Sequence, residues 1–208
     1  MNAMPPARAA ALLLALAAGW PAPGQANPAA SGQYGSLTLV VRDGEVSGTF
    51  SEARGGNGTQ DAPQFSCLFQ LRGTLRDGRG SVQTWSPGGE SIPGQLTLEG
   101  GAASLVLRDN QDGCLMATGD MVRQPYRAPL ARRGEGWIGA TLVAAPRAVI
   151  NPTPQGSNRR GPYVVEGDAV VVLERRPGWA RVRYEAGRAP VTGWVRAGEL
   201  APEQPPPR

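Results

Sequence analysis

The 208-residue chain has no histidine, and its 21 cationic residues are all arginine, so lysine is absent as well. Without an imidazole there is no Ser-His-Asp or Cys-His catalytic set, no histidine-ligated metal and no histidine general base. Without lysine there is no Schiff-base chemistry and no Ser-Lys dyad. Aromatics make up only 6% of the chain, and cysteine occurs twice. The longest apolar run, Ala9–Ala18, has ten residues, half of the roughly 20 that a membrane-spanning helix needs. Glycine (29) and proline (20) are plentiful, which points to short strands and tight turns instead of long helices. Most enzyme classes are thereby excluded, and neither a metal nor a cofactor is expected.

The apolar run follows a segment with one positive charge, Arg8, and precedes Gly19, Trp20 and Pro21, which end any helix. Its length suits the hydrophobic region of a secretory signal peptide, with Gly24-Gln25-Ala26 as the cleavage site. Residues 1–26 are therefore expected to be removed. The mature protein is expected to be periplasmic or secreted, with no integral membrane segment. Cys67 and Cys114 both lie in the mature chain. In an oxidising compartment, an isolated pair so far apart in sequence is expected as a structural disulfide, not as a redox-active Cys-x-x-Cys couple.

Charge and pattern divide the mature chain. Residues 27–121 carry 6 Arg against 10 Asp and Glu, whereas residues 122–208 carry 14 Arg against 7. The sign changes across 123–135, a stretch with Pro125, Pro129 and Gly134 that reads as a linker. Before it, Ser36–Val41, Glu45–Phe50, Gln64–Leu75, Ser81–Trp85, Gly94–Leu98 and Ala103–Leu107 read as strands, punctuated by Asp43-Gly44, Asp77-Gly78 and Gly100-Gly101. Those dipeptides supply the positive φ of hairpin turns. Leu37, Leu39 and Val41 share one face, the alternation of a half-buried strand. Asp109–Gly113 reads as a further hairpin turn, leading into a strand at Cys114–Thr118. Residues 27–122 are thus expected to form an all-β sandwich or barrel stapled by Cys67–Cys114.

Three local motifs are set aside. Counting from Asp109, position 5 of a calcium loop falls on Gly113 and position 12 on Asp120, so the EF-hand spacing fails. Asn57-Gly58-Thr59 matches a glycosylation sequon, but in an exported, lysine-free chain of bacterial character it reads as part of a Gly-rich loop. Asp43/Glu45 and Asp109/Asp112 pair carboxylates as glycosidases do, yet they sit where turns favour Asp on backbone grounds. No catalytic residue is assigned, and the protein is not expected to be an enzyme.

The second half carries the most specific pattern. Arg147-Ala148-Val149 leads to Pro152, and Tyr163-Val164-Val165-Glu166-Gly167-Asp168 leads to the apolar strand Val170–Leu173. Then come Gly178-Trp179, the strand Ala180–Tyr184, Gly193-Trp194-Val195 and Leu200. In this order the pieces resemble the bacterial SH3-like domain of exported and cell-wall proteins, over about 60 residues. The resemblance implies a small β-barrel over residues 136–201. Val170–Leu173 reads as a strand buried on both faces, and Ala197–Leu200 as a single 3₁₀ turn. More loosely, Phe65-Ser66-Cys67 and Thr84-Trp85-Ser86-Pro87 are similar to pieces of exported bacterial proteins that join an all-β domain to such a module. The tail, residues 202–208 (PEQPPPR), is too proline-rich to join the fold and is expected to be extended and mobile.

In SH3-like modules ligands lie across exposed aromatics between loops, which makes Tyr163, Trp179, Tyr184 and Trp194 candidates. The plainer reading makes Trp179 and Trp194 packing residues, since so small a barrel needs large side chains. Trp194 then lies near the rim with Val195 inward. Arg159-Arg160, Arg175-Arg176, Arg181 and Arg183 could form a basic face for an anionic polymer or acidic peptide, or simply a solvated one. Arg181 and Arg183 join the ligand-binding candidates. The expected function is that of a non-catalytic binding protein contacting a peptidoglycan stem peptide or an envelope protein, not nucleic acid. The alternative is an inhibitor or immunity protein acting on an exported hydrolase such as a lysozyme.

Overall fold

The computed structural model describes residues 29–156, 160–185 and 189–207, the side chains at 57 and 58 excepted. The signal-peptide reading of residues 1–26, together with Arg159 and Arg208, lies outside the described residues.

Alternating side chains and tight turns fold the first part of the chain into β1 (Gly32–Tyr34), β2 (Leu37–Arg42), β3 (Glu45–Thr59), β4 (Ala62–Thr74), β5 (Arg79–Trp85), β6 (Ser91–Glu99) and β7 (Ala102–Leu107). The expected turns are where the sequence puts them. Asp43, Gly44, Asp77, Gly78, Gly100 and Gly101 all have φ between 50° and 80°, the left-handed pairs that match the twist of a hairpin. After β7 come α1 (Cys114–Ala117), β8 (Tyr126–Pro129) and β9 (Arg132–Arg133). The strands form one antiparallel sheet in the order β8-β7-β6-β5-β4-β3-β2-β1-β9.

Residues 123–135 are therefore not a linker. β8 pairs with β7 at one edge of the sheet and β9 pairs with β1 at the other. Between them the amides of Leu130 and Ala131 donate to Gly101 O (2.7 Å) and Gln33 O (2.8 Å). One short segment serves both edges, so neither is left with a row of unpaired backbone groups. The sheet curls around Leu39, Phe50, Phe69, Leu71, Leu96 and Leu105. There Phe50 stacks on Phe69 (4.9 Å between centroids) and meets Tyr126 edge-on (4.8 Å).

Two further expectations change. Cys114–Thr118 is not a strand: Cys114–Ala117 form the short helix α1. CLMA carries no periodicity that separates a helix from a strand, and the Cys67–Cys114 disulfide ties this connection to β4, against which α1 packs. Buried Gln111 fastens the same connection, donating to Thr84 O (2.9 Å) and accepting from Ser86 Oγ (2.8 Å). Nor is the Gly-rich stretch a loop. It belongs to β3, which pairs with β4 from Glu45↔Thr74 out to Thr59↔Ala62 across a register shift between Gly55 and Thr59. Beyond Phe50 and Gln70 these two strands pair only with each other among the described residues. They form a projecting arm.

The second part contains β10 (Gly139–Leu142), β11 (Ala148–Val149), β12 (Tyr163–Val164), β13 (Ala169–Arg176), β14 (Trp179–Tyr184) and β15 (Val191–Arg196). β10-β13-β14-β15 form a four-stranded sheet and β11-β12 a ribbon. The ribbon's continuation is tied to β15 where Asn151 and Trp194 exchange amide bonds of 2.8 and 2.7 Å. The expected 3₁₀ turn is present at Ala197–Glu199. Val170, Val172, Ala180, Val182 and Val195 share one buried core.

The opposite face of this sheet explains why Val170–Leu173 is apolar on both sides. Val171, with Leu173 partly buried beside it, packs with Ala140, Trp137 and Val40 of β2. The two units thus meet through a small apolar cluster flanked by buried polar contacts. Thr141 Oγ1 donates to Gln70 Oε1 (2.7 Å), and Gln70 Nε2 donates to Pro202 O (2.9 Å). The tail expected to be free is fastened at its start, since Arg175 also pairs with Glu203.

Candidate binding cleft

Beside the apolar cluster the two units leave a cleft of about 430 Å³. Its first wall is the outer face of the large sheet. Leu37, Leu39 and Phe50 point into the core, so their neighbours Thr38, Thr49 and Ser51 point outward and line the cleft together with Gln33 and Ser36. The second wall comes from the start of β13 and the end of β14, with Asp168, Arg183, Tyr184 and Glu185, while Arg132 reaches in from β9.

Backbone geometry sets the second wall. Val165, Glu166, Gly167 and Asp168 make a turn in which the Asp168 amide donates to Val165 O (3.0 Å). Gly167 has φ 86°, a value that favours glycine at the third position of a type II turn. A Cβ there would also stand 3.1 Å from the Leu68 side chain of β4, so any side chain at 167 would press on the first unit. Asp168 Oδ2 accepts from the Val165 amide (2.8 Å), and Oδ1 accepts from the Tyr184 hydroxyl (3.1 Å). Burial pushes the Tyr184 hydroxyl above its ordinary pKa, and the adjacent Asp168 carboxylate adds to that.

Glu185, whose side chain is only 15% exposed, takes Arg183 Nε at 2.9 Å on one oxygen and Arg132 on the other. Arg132 belongs to the first unit, so this ion pair crosses between the two. Among the described residues neither Glu185 oxygen nor Arg183 Nε has an aligned hydrogen bond. The trio is held by charge, with hydrogen-bonding capacity left over. Two guanidiniums and two carboxylates leave the cleft electrically balanced.

The structure separates the six sequence candidates. Arg183 and Tyr184 line the cleft. Tyr163 stands apart on the ribbon, 50% exposed, with the Arg147 guanidinium 3.7 Å from its ring centroid. Trp194 is only 6% exposed and lies beneath Arg176, 4.8 Å from the ring centroid. Trp179 is half-buried with Arg196 at 5.1 Å, and Arg181 is exposed beside Trp194 in register. Sequence reasoning missed Gln33, Ser36, Thr38, Thr49, Ser51, Arg132 and Glu185. The available signal was Val40, an apolar residue on the polar side of β2, which implies that something covers that face.

Among the described residues no three Cys, Asp or Glu side chains cluster as a metal site would need, and no helix is long and apolar enough to cross a membrane. Comparison with family models, with curated proteins and with solved structures gives no match.

Proposed function

We propose that this is a non-catalytic exported protein that binds peptidoglycan or another component of the cell envelope, with residues 136–201 acting as an SH3-like module. The observation that carries this reading is the cleft. It joins Arg183 and Tyr184 of that module to a polar sheet face on the first unit, and its titratable groups are paired with one another in place of being arranged as a nucleophile and base. The Cys67–Cys114 bond fits an oxidising compartment. The mature protein is expected to sediment with purified sacculi; full recovery in the soluble fraction would overturn the reading.

A second reading, an inhibitor of an exported hydrolase such as a lysozyme, draws on the β3–β4 arm. The disulfide at its base joins Cys67 to α1, whose Leu115 and Met116 are exposed, as is Phe65 on the arm. A rigid projecting element can occlude a partner's cleft at low entropic cost. Hydrolase inhibition that disappears when residues 54–64 are replaced by a two-residue turn would support this reading. Inhibition that persists would remove its basis.

A further inference from the structure

We propose that the cleft between the units recognises a polyhydroxylated ligand, a short glycan segment of an envelope polymer, and not a peptide. The inference rests on the envelope-binding reading and gives it a ligand class.

Chemistry narrows the choice. The first wall is almost wholly hydroxyl and amide: Gln33, Ser36, Thr38, Thr49 and Ser51. Thr38 donates to Gln33 Oε1 (2.7 Å), Gln33 to Gly35 O and Ser36 to Glu52 (3.1 Å), but each hydroxyl keeps lone pairs that accept, so the wall suits a ligand whose own groups donate as well as accept. Peptides are usually gripped by an open strand edge, an apolar groove, an aromatic-lined polyproline groove, or a nest of backbone amides for a terminal carboxylate. This cleft offers none of those. Thr38 and Thr49 lie on strands paired on both sides, and Ser51, just past the end of the β2 ladder, has its amide bonded to Ser36 O (3.0 Å), so no open strand edge faces the cleft there. Tyr184 is the single aromatic in the lining.

The charges agree with this. Arg132 and Arg183 share Glu185, and Asp168 is engaged by Tyr184 and the Val165 amide. The Glu185 oxygens are sealed from solvent, but the more exposed Arg132 and Arg183 keep further N–H groups and Asp168 further lone pairs, which can bond to sugar hydroxyls or acetamido groups without demanding a net charge. The volume, about 430 Å³, falls in the range of small-molecule pockets, roughly 300–1,000 Å³.

The test titrates the mature chain calorimetrically with peptide-free glycan strands and, separately, with a free stem pentapeptide, with intact sacculi as a control. Glycan strands are expected to bind and the pentapeptide not to. Ser51→Trp fills the cleft from an exposed position, and Tyr184→Phe removes one hydroxyl without changing shape. The first is expected to weaken glycan binding by more than about tenfold and the second by less, with melting temperature confirming that each variant is folded. Binding of the pentapeptide alone would overturn the glycan assignment while leaving the envelope reading intact, and so would glycan affinity unchanged in Ser51→Trp. Retention by sacculi with neither fragment binding would overturn it too. Failure to bind sacculi at all would overturn both.

Discussion

The two units solve the problem of burial differently. The large sheet curls until one segment, Tyr126–Arg133, serves both of its edges, and it encloses its own core. The small sheet has an apolar face of its own and a second whose apolar part, Val171, Leu173 and Ala140, packs with Trp137 and with Val40 of the first unit. The dependence is therefore one-sided. Without the second unit the first would expose Val40 and a mostly polar strip; without the first, the second would expose the apolar part of its outer face, Val171, Leu173 and Ala140. The cleft follows from the same asymmetry, since a polar sheet face can be wetted beside an apolar contact that holds the units together.

Removing the disulfide, with Cys67→Ser and Cys114→Ser together, is expected to cost about 4 kcal/mol for a loop spanning 47 positions. The loss falls on the first unit, and the second should follow it because its outer face loses its cover. Denaturation monitored in both units checks this. A second unit that keeps its transition unchanged would break the asymmetry.

Trp194→Ala should run the other way, destabilising the second unit by about 3 kcal/mol, at the low end for a buried aromatic because a guanidinium supplies part of its cover. The first unit, with its own core, should keep its midpoint in the same urea titration. Loss of both units in one step would mean that the dependence is mutual.

Alkaline pH acts on both units at once. Burial holds Tyr34, in the first, and Tyr184, in the second, above their ordinary pKa of about 10. The folded state keeps these protons more tightly than the unfolded chain. This contribution is thus fully present below the unfolded value and is lost as pH rises through the folded values. Stability should decline above about pH 10, and Tyr34→Phe should flatten the decline more than Tyr184→Phe, because its ring is the more deeply buried. Urea midpoints across that range measure it, and equal slopes in both variants would contradict the assignment.

How much of this was legible depends on how local the cause is. Asp43-Gly44, Asp77-Gly78 and Gly100-Gly101 declare their hairpins because positive φ is a property of two residues. Tyr126–Arg133 does not declare itself. Its strands exist because two distant edges need closing, and its proline and arginines look like a linker when read alone. CLMA at α1 is equally silent, since the disulfide to Cys67 decides its course. At the cleft, Arg183 and Tyr184 were visible as a polar and aromatic pair at a strand end. Thr38, Thr49 and Ser51 were not, because hydroxyls alternating with apolar residues look like any solvated face. Val40, Val171 and Leu173, apolar on the outer sides of their strands, mark where the units meet.

The central claim is that the two units form one body across that contact, with the cleft as its product. A double-mutant cycle between Val40→Ala and Val171→Ala tests it most directly. The account predicts that the single changes each destabilise the protein and that together they deviate from additivity by about 0.5 kcal/mol or more, as residues sharing a packed cluster do. Additivity to within about 0.3 kcal/mol would contradict it, leaving two independent units and no built cleft between them.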